Sequence, residues 1–174
     1  RPTNSFISPM NLTEVELEAM IAYMGGDARR IQHFIKVHAL AQLIGRQEQL
    51  NERTQFILEA AALTHDIGIK NGEAKFGAGK CSGKTQELEG PPAAEELLAK
   101  LGFAPDVCER VCYLIGHHHT YTNIDGMDYQ ILVEADFLVN FYEDGMSKEA
   151  IQTACGRIFK TASGIRLCRQ MFGI

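Results

Sequence analysis

An adjacent histidine and aspartate, His65 and Asp66, end an apolar stretch that begins at Phe56. Burying two ionisable side chains in a helical interior without partners would cost several kcal/mol. A bound cation would remove that cost, because imidazole nitrogens and carboxylate oxygens both bind metal ions. His33 lies upstream and Asp136 lies within a later apolar run. The sequence therefore predicts a metal site built from side chains on several helices.

The apolar residues recur at helical spacing along nearly the whole chain, and no run alternates like a strand. We therefore predict an all-α fold, a single-domain helical bundle that spans residues 1–174. The segment from Ile67 to Gly90 is rich in glycine and lysine and is predicted to be a loop. Helices are predicted at about 11–24, 27–47, 52–66 and 91–101, from 105 into the histidine run at 117–119, and at about 127–142, 147–159 and 161–171, with Pro91 or Pro92 in the first turn of the fourth.

Two of the candidate ligands fall on core-facing stripes of their predicted helices. His33 shares a stripe with apolar residues of the second helix, and Asp136 does so on the sixth. Gln130 and Glu134 fall on the opposite side of that sixth helix. An inward-facing carboxylate without a partner would be unfavourable, so Asp136 is expected to meet the histidines in the folded bundle.

Length and composition restrict the class of protein. With 174 residues, 45% hydrophobic and 22% charged, the chain fits one soluble domain with a substantial core. A net charge of −5 argues against a nucleic-acid polymer as partner, although a nucleotide could still be a small substrate. No run of about 20 apolar residues is present, and residues 1–9 lack a signal-peptide core, so we expect no membrane association and a cytoplasmic location.

The five cysteines are odd in number and include no C-x2-C pair. That pattern favours small buried apolar side chains in a reducing compartment over a disulfide framework or a thiolate metal site.

These elements together resemble the HD-domain superfamily of metal-dependent phosphohydrolases. The family pattern is a histidine on one helix, a His-Asp doublet that ends another, and a distant aspartate on a later helix. Here the sequence HFIKV at 33–37 is similar to the family's H-x-x-[RK]-V, and THDIG at 64–68 and EAD at 134–136 carry the other elements. The resemblance covers roughly 27–140, which would form the metal-site core, with C-terminal helices at 147–171.

The resemblance implies a ligand set and a reaction. His33, His65, Asp66 and Asp136 would bind a divalent ion, which could be Mn, Fe, Co, Ni, Zn or Mg. Water activated by that metal would then hydrolyse a phosphomonoester or a phosphodiester, with a nucleotide as the favoured substrate. Asp66 would also orient or deprotonate the attacking water. Lys70, the lysine closest to the doublet, could meet a substrate phosphate as a mobile charge.

Three consecutive histidines lie at the end of the predicted fifth helix. The resemblance implies that His117 or His118 lines the active site, where it would bind phosphate or a second metal, whereas His119 is expected to face solvent. His38, on the flank of the second helix, is expected to be a structural histidine.

The number of metal ions is left open by one departure from the family pattern. Members with two metals usually carry another histidine after the loop, where this chain has EGPP at 89–92. We therefore expect one metal, or an unusual second site that combines Glu89 with the histidine run. Glu73 and Glu87 are interpreted as surface acids.

Two other functions stay open from the sequence. The protein could be a non-catalytic regulator of the HD type that binds a metal or a nucleotide. It could also be a helical scaffold in which these residues form a buried hydrogen-bonded network. The apolar pairs Phe6-Ile7 and Met171-Phe172 could form a homodimer contact.

A P-loop-like pattern occurs at 78–85, AGKCSGKT. A functional P-loop needs a buried strand before it and a helix that opens at the threonine. Neither is predicted here, so we interpret the match as coincidental.

Overall fold

The computed structural model describes residues 11–174. Within that range it contains nine α-helices and no strand, which confirms the predicted all-α class. None of the helices in 11–174 is both long enough and apolar enough to serve as a membrane span. The helices are α1 (Leu12–Tyr23), α2 (Ala28–Gln47), α3 (Glu52–Thr64), α4 (Gly68–Phe76), α5 (Gly83–Lys100), α6 (Pro105–Ile115), α7 (Met127–Glu143), α8 (Lys148–Ile158) and α9 (Ala162–Phe172).

Short polar side chains begin several of the helices. Asp27 accepts a hydrogen bond from the Arg30 amide and begins α2, and Asn51 does the same for Thr54 at the start of α3. Such caps typically contribute about 1 kcal/mol each. At α2 the cap also fixes where the helix begins, five residues before His33.

The centre of the bundle is α3, which packs against α1, α2, α6 and α7. Every residue from Ile57 to Thr64 is buried. Ala60, Ala61 and Ala62 have small side chains, so neighbouring helices can approach this helix closely. The His-Asp doublet at its C-terminal end therefore lies inside the molecule, where α2 and α7 can reach it.

The predicted loop from Ile67 to Gly90 is wrong, because it contains α4 and the first part of α5. Pro91 and Pro92 lie inside α5 instead of in the first turn of a helix. Glycine is what allows α4 to lie against α5: a Cβ at Gly68 would come within 2.6 Å of the Gly90 amide nitrogen. Two of the glycines that suggested a loop, Gly68 and Gly90, therefore mark a close helix pair.

This rearrangement also bears on the P-loop-like pattern. Ser82 caps α5, so a helix does open within that segment, contrary to the prediction. The preceding element is α4, however, and no strand precedes the segment within 11–174. The buried strand that a P-loop requires is missing there.

The face of α7 that carries Gln130 and Glu134, opposite Asp136, is buried as well. Glu134 is fully buried, and its Oε2 atom accepts hydrogen bonds from the backbone amides of Lys160 (2.8 Å) and Thr161 (3.0 Å). Gln130 Nε2 donates to Glu134 Oε2 at 2.7 Å. The segment that joins α8 to α9 therefore covers this face, and its free amides satisfy the carboxylate.

Of the two apolar pairs proposed for a dimer contact, the structure describes only Met171 and Phe172. Met171 is 47% exposed, whereas Phe172 packs edge-on against Phe141 with ring centroids 5.7 Å apart. Phe6 and Ile7 lie outside the described residues. Homodimer formation stays a prediction.

Candidate metal centre

Four side chains from three parts of the fold meet at one point. His33 projects from α2, His65 and Asp66 follow α3, and Asp136 projects from α7. His33 Nε2 lies 3.2 Å from His65 Nε2, 3.0 Å from Asp136 Oδ1 and 3.3 Å from Asp66 Oδ2. The structure thus brings together all four residues that the sequence nominated as metal ligands.

The other ring nitrogen of each histidine binds a protein oxygen. His33 Nδ1 lies 2.8 Å from Glu143 Oε1, and His65 Nδ1 lies 2.7 Å from the Ala62 carbonyl. Glu143 is held in turn by Lys36, whose Nζ lies 2.6 Å from Glu143 Oε2. Hydrogen bonds of this kind fix the Nδ1–H tautomer and leave the Nε2 lone pair free for a metal ion.

The donor set fits a divalent cation. Nitrogen and oxygen atoms that all present lone pairs repel each other at these distances unless a positive charge lies among them. One ligand atom from each of His33, His65 and Asp66 can be chosen so that all lie within 4.8 Å of one another, and Asp136 completes the set. Imidazole and carboxylate ligands without thiolate suit borderline or hard divalent metals.

The same positive charge can be supplied by a proton. Burial alone would lower the pKa of His65, but the negative charge of Asp66 and the hydrogen bond and charge of Asp136 outweigh it and raise that pKa to about 9. Conversely, burial would raise the pKa of Asp66, but His65 and His118 hold it well below its usual range. Both pKa shifts have the same cause: in this buried cluster, a protonated imidazole beside an ionised carboxylate is favoured over two neutral groups.

A second group of ligand atoms shares Asp66. Asp66, His118 and His119 present atoms within 4.8 Å of one another, so this group too could hold a metal ion. His118 is 1% exposed, its Nδ1 lies 2.6 Å from the Ile115 carbonyl, and its Nε2 lies 3.6 Å from Asp66 Oδ1. Within residues 11–174 that Nε2 has no hydrogen-bond partner. A buried unpaired nitrogen beside a carboxylate is the pattern expected of a ligand-binding atom.

A cavity of about 230 Å³ opens onto the centre. Sequence reasoning did not select several of its residues. Arg30, however, lies one helical turn before His33 on the same face, so helical spacing alone could have identified it. The cavity is lined by Arg29, Arg30, His33, Asp66, Gln86, His119, Asp136, Asn140, Glu143 and Asp144.

Arg30 is fixed at the rim of this cavity by a two-point ion pair. Its guanidinium nitrogens lie 3.0 Å and 3.1 Å from the two carboxylate oxygens of Glu73. Glu73 also accepts the backbone amide of Gly79 at 2.7 Å. Glu73 is therefore not a plain surface acid, since it ties α2 to α4 and to the segment before α5.

Lys70 is placed outside the cavity. Its ammonium donates to the Tyr23 carbonyl at 3.1 Å and lies 4.8 Å from the centre of the Tyr23 ring. Because α4 is a helix, Lys70 points toward α1, away from the His-Asp doublet that precedes it. The expected phosphate contact at Lys70 is not supported by this position.

The three consecutive histidines have separate environments. His117 stacks on Tyr113, with ring centroids 4.0 Å apart, and lies away from the cavity. His118 faces Asp66, whereas His119 lines the cavity with its Nε2 2.8 Å from Gln86 Oε1. The expectation that His119 faces solvent is therefore wrong, as is a place for His117 in the site. α6 ends at Ile115, and the turn that follows redirects the rings.

The remaining acids and histidine are also accounted for. His38 Nε2 lies 3.1 Å from Glu59 Oε1, which is the structural role expected for His38. Glu89 pairs with Lys75 at 2.9 Å, so it is not joined to the histidine run. Glu87, interpreted as a surface acid, instead accepts hydrogen bonds from the segment that carries His119.

Comparisons with known proteins agree with this geometry. The structure is similar to a crystal structure described as a predicted HD superfamily hydrolase from an uncultured Thermotogales bacterium, with a TM-score of 0.65, 24% identity, and coverage of 94% of this chain and 92% of that one. At that identity the likeness concerns the fold. A search among curated proteins gives no match. The family model for the HD domain matches residues 30–163, a range that includes all four central side chains. The chain belongs to the HD domain family.

Proposed function

We propose that this protein is a metal-dependent hydrolase of phosphate esters, acting on a phosphomonoester or a phosphodiester, with a nucleotide as the favoured substrate. The observation that carries the proposal is the convergence of two imidazole Nε2 atoms and two carboxylates beside an open cavity, which His33, Asp66 and Asp136 line. Membership of the HD domain family supports it, and so does the description of the structural relative as a hydrolase.

In this proposal His33, His65, Asp66 and Asp136 hold one divalent ion. Such an ion lowers the pKa of a bound water toward about 7 and polarises a phosphoryl oxygen. The protein orients its ligands: Glu143 fixes the ring of His33, and the Ala62 carbonyl fixes that of His65. Ligands held in this way lose little freedom when the ion binds.

Asp66 has the position for two tasks. One of its oxygens faces His33 and the other faces His118, at 3.3 Å and 3.6 Å. Because its carboxyl pKa is held low by the adjacent imidazoles, Asp66 is ionised at neutral pH. It can therefore bind the ion and orient the attacking water by accepting a hydrogen bond from it.

The arginines on the rim complement a phosphate. Arg30 is held by Glu73, and Arg29 precedes it on α2. Guanidinium groups match the oxygens of a phosphoryl group in charge and geometry. We therefore assign the contact with substrate phosphate to this pair in place of Lys70. His118, with its unpaired Nε2, either meets the same phosphoryl group or binds a second ion that shares Asp66.

Two further polar residues that line the cavity support a sugar phosphate as substrate. Asn140 and Asp144 present amide and carboxylate groups, which can form hydrogen bonds with hydroxyl groups. A volume of about 230 Å³ holds a phosphate with part of a sugar, and it is smaller than the roughly 300–1,000 Å³ of pockets that enclose drug-sized ligands. The base of a nucleotide would then extend toward the mouth of the cavity.

A panel experiment tests this function. The purified protein is treated with chelator, supplied with Mn²⁺, Ni²⁺, Co²⁺, Zn²⁺ or Mg²⁺, and incubated with nucleoside monophosphates, cyclic nucleotides, sugar phosphates and p-nitrophenyl esters. We expect metal-dependent hydrolysis that the Asp66→Asn variant lacks, seen as phosphate released from a monoester or as the monoester formed from a diester. Metal binding without hydrolysis of any of these esters would contradict an enzyme and favour the regulatory alternative.

A further inference from the structure

The turn that carries the histidine run is held from two sides by hydrogen bonds. On one side, Glu87 Oε2 on α5 accepts from the backbone amide of His119 at 3.0 Å and from the Thr120 hydroxyl at 2.8 Å. On the other side, the Tyr129 hydroxyl on α7 lies 3.0 Å from the His117 carbonyl and 2.5 Å from that of Thr120. The turn is thereby fixed between α5 and α7.

This turn determines where two imidazoles point. The His118 ring is perpendicular to that of His65, at 83° with centroids 5.4 Å apart, and its Nε2 faces Asp66. The His119 ring packs on the backbone of Gly83, where an added Cβ would lie 3.0 Å from the ring. A shift of the turn would therefore move both Nε2 atoms relative to Asp66.

Side-chain hydrogen bonds are especially important for holding this turn, because the regular backbone hydrogen bonds of α6 end before it. α6 stops at Ile115 and α7 begins at Met127. Between them only a few backbone bonds are formed, such as that of Thr120 to the His117 carbonyl. One carboxylate oxygen of Glu87 accepts both an N–H and an O–H, so a single atom fixes two successive residues.

We propose that Glu87 is a positioning residue for the reaction: it holds the turn so that His118 and His119 present their Nε2 atoms to the site. Glu87 does not line the cavity and acts only through these two histidines. The effect of Glu87 on catalysis rests on the proposed function, whereas its role in holding the turn does not.

The test pairs a measurement of the turn with one of turnover. Amide hydrogen exchange of His119 by NMR reports whether the turn is held, and hydrolysis of bis-p-nitrophenyl phosphate and p-nitrophenyl phosphate with Mn²⁺ reports its effect. Glu87→Leu removes the acceptor, whereas Glu87→Gln keeps an oxygen that can accept the same two bonds. Glu96→Leu is the control, an exposed acid on the same helix that pairs with Lys100.

We expect Glu87→Leu to lose protection of the His119 amide and to lower kcat by about 10- to 100-fold with little change in KM, as other residues that orient ligands do. Glu87→Gln is expected to keep the protection and most of the turnover. Glu96→Leu should match the wild type in both. Lost protection with full turnover would overturn the proposal, as would lost turnover with a protected amide.

Thr120→Val keeps the inference testable if Glu87→Leu does not fold. This isosteric change removes one of the two donors to Glu87, so faster exchange and a smaller fall in kcat are expected. Unchanged exchange and unchanged kcat in this variant would overturn the proposal. If the wild type hydrolyses neither ester nor any member of the panel, the proposed function and the catalytic role of Glu87 both fail, whereas amide exchange still decides whether Glu87 holds the turn.

Discussion

At the scale of single residues, the metal centre depends on the different partners of the two ring nitrogens in each imidazole. In His33, His65 and His118, Nδ1 binds a protein oxygen while Nε2 faces a carboxylate of the cluster. The first two residues and both aspartates could be nominated from the sequence because their types are costly to bury alone. Their second partners could not, since Glu143 is 110 positions from His33 and only the packing of α7 on α2 joins them.

Glu143 gives the first prediction at this scale. Removing its carboxylate in Glu143→Leu frees the ring of His33 and leaves Lys36 without its partner. Affinity for Mn²⁺ should fall by about 10- to 100-fold, by analogy with other groups that orient metal ligands. Calorimetric titration of the chelator-treated protein measures it, and the exposed Glu149→Leu on α8 is the control. Equal affinity in both variants would show that Glu143 does not orient His33.

A second prediction concerns pH. In the metal-free protein His65 must lose its proton before an ion can bind, and its pKa is raised from 6.5 to about 9. Apparent affinity for Mn²⁺ should therefore rise with pH between these values, by up to about tenfold per unit for one proton, and level off above about 9. Titrations in buffers of different ionisation enthalpy would report the released proton. Affinity that is constant from pH 6.5 to 9 would contradict the ligand role of His65.

At the scale of helices, the sequence predicted those with a clear apolar face and a capping residue. Both ends of α2 and α7, and the start of α6, lie within a residue or two of the predicted positions. It failed between Ile67 and Gly90, where Gly68 lets the backbones of α4 and α5 touch and a side chain would separate them. The expected place of His117 in the site and the expected exposure of His119 were also wrong, because α6 ends at Ile115 and the turn after it sets the direction of both rings.

A pair of glycine substitutions tests the contact of α4 with α5. A Cβ at Gly68 would lie 2.6 Å from the Gly90 nitrogen and 2.9 Å from the Gln86 carbonyl oxygen, so Gly68→Ala must push the helices apart. Its cost is expected to be about 1–3 kcal/mol in the free energy of unfolding. Gly156 in α8 has no atom within 4 Å of an added Cβ, so Gly156→Ala should stabilise by up to about 1 kcal/mol. Urea unfolding measures the free energy of unfolding of both variants. Equal changes in the two variants would contradict the close contact of α4 with α5.

At the scale of the whole molecule, the helical period and a 174-residue length were enough to predict one all-α bundle. They could not predict which polar groups the core would enclose. Glu16 on α1 is fully buried, and neither carboxylate oxygen has a hydrogen-bond partner within residues 11–174. It sits next to the Glu59 charge, so the core contains an acid whose burial opposes folding.

The buried Glu16 leads to a prediction about stability. Burial first, and then the charge of Glu59, raise the pKa of Glu16 well above 4.5. The unfolded chain therefore ionises Glu16 more readily, and the free energy of unfolding should fall as pH rises above 4.5 toward the raised pKa. Glu16→Gln should remove this fall, and Glu16→Met should stabilise the protein at neutral pH by about 1–3 kcal/mol. Urea unfolding at several pH values measures both, and a less stable Glu16→Met would contradict the burial argument.

The most direct measurement for the whole account is the metal content of the protein and of its ligand variants. After dialysis against Mn²⁺ or Ni²⁺ and removal of free ion, elemental analysis should find at least one ion per wild-type chain. His65→Ala and Asp136→Ala should each fall to background while the chain stays folded. A wild type that retains no divalent ion, or variants that retain as much as the wild type, would contradict a metal centre formed by these side chains.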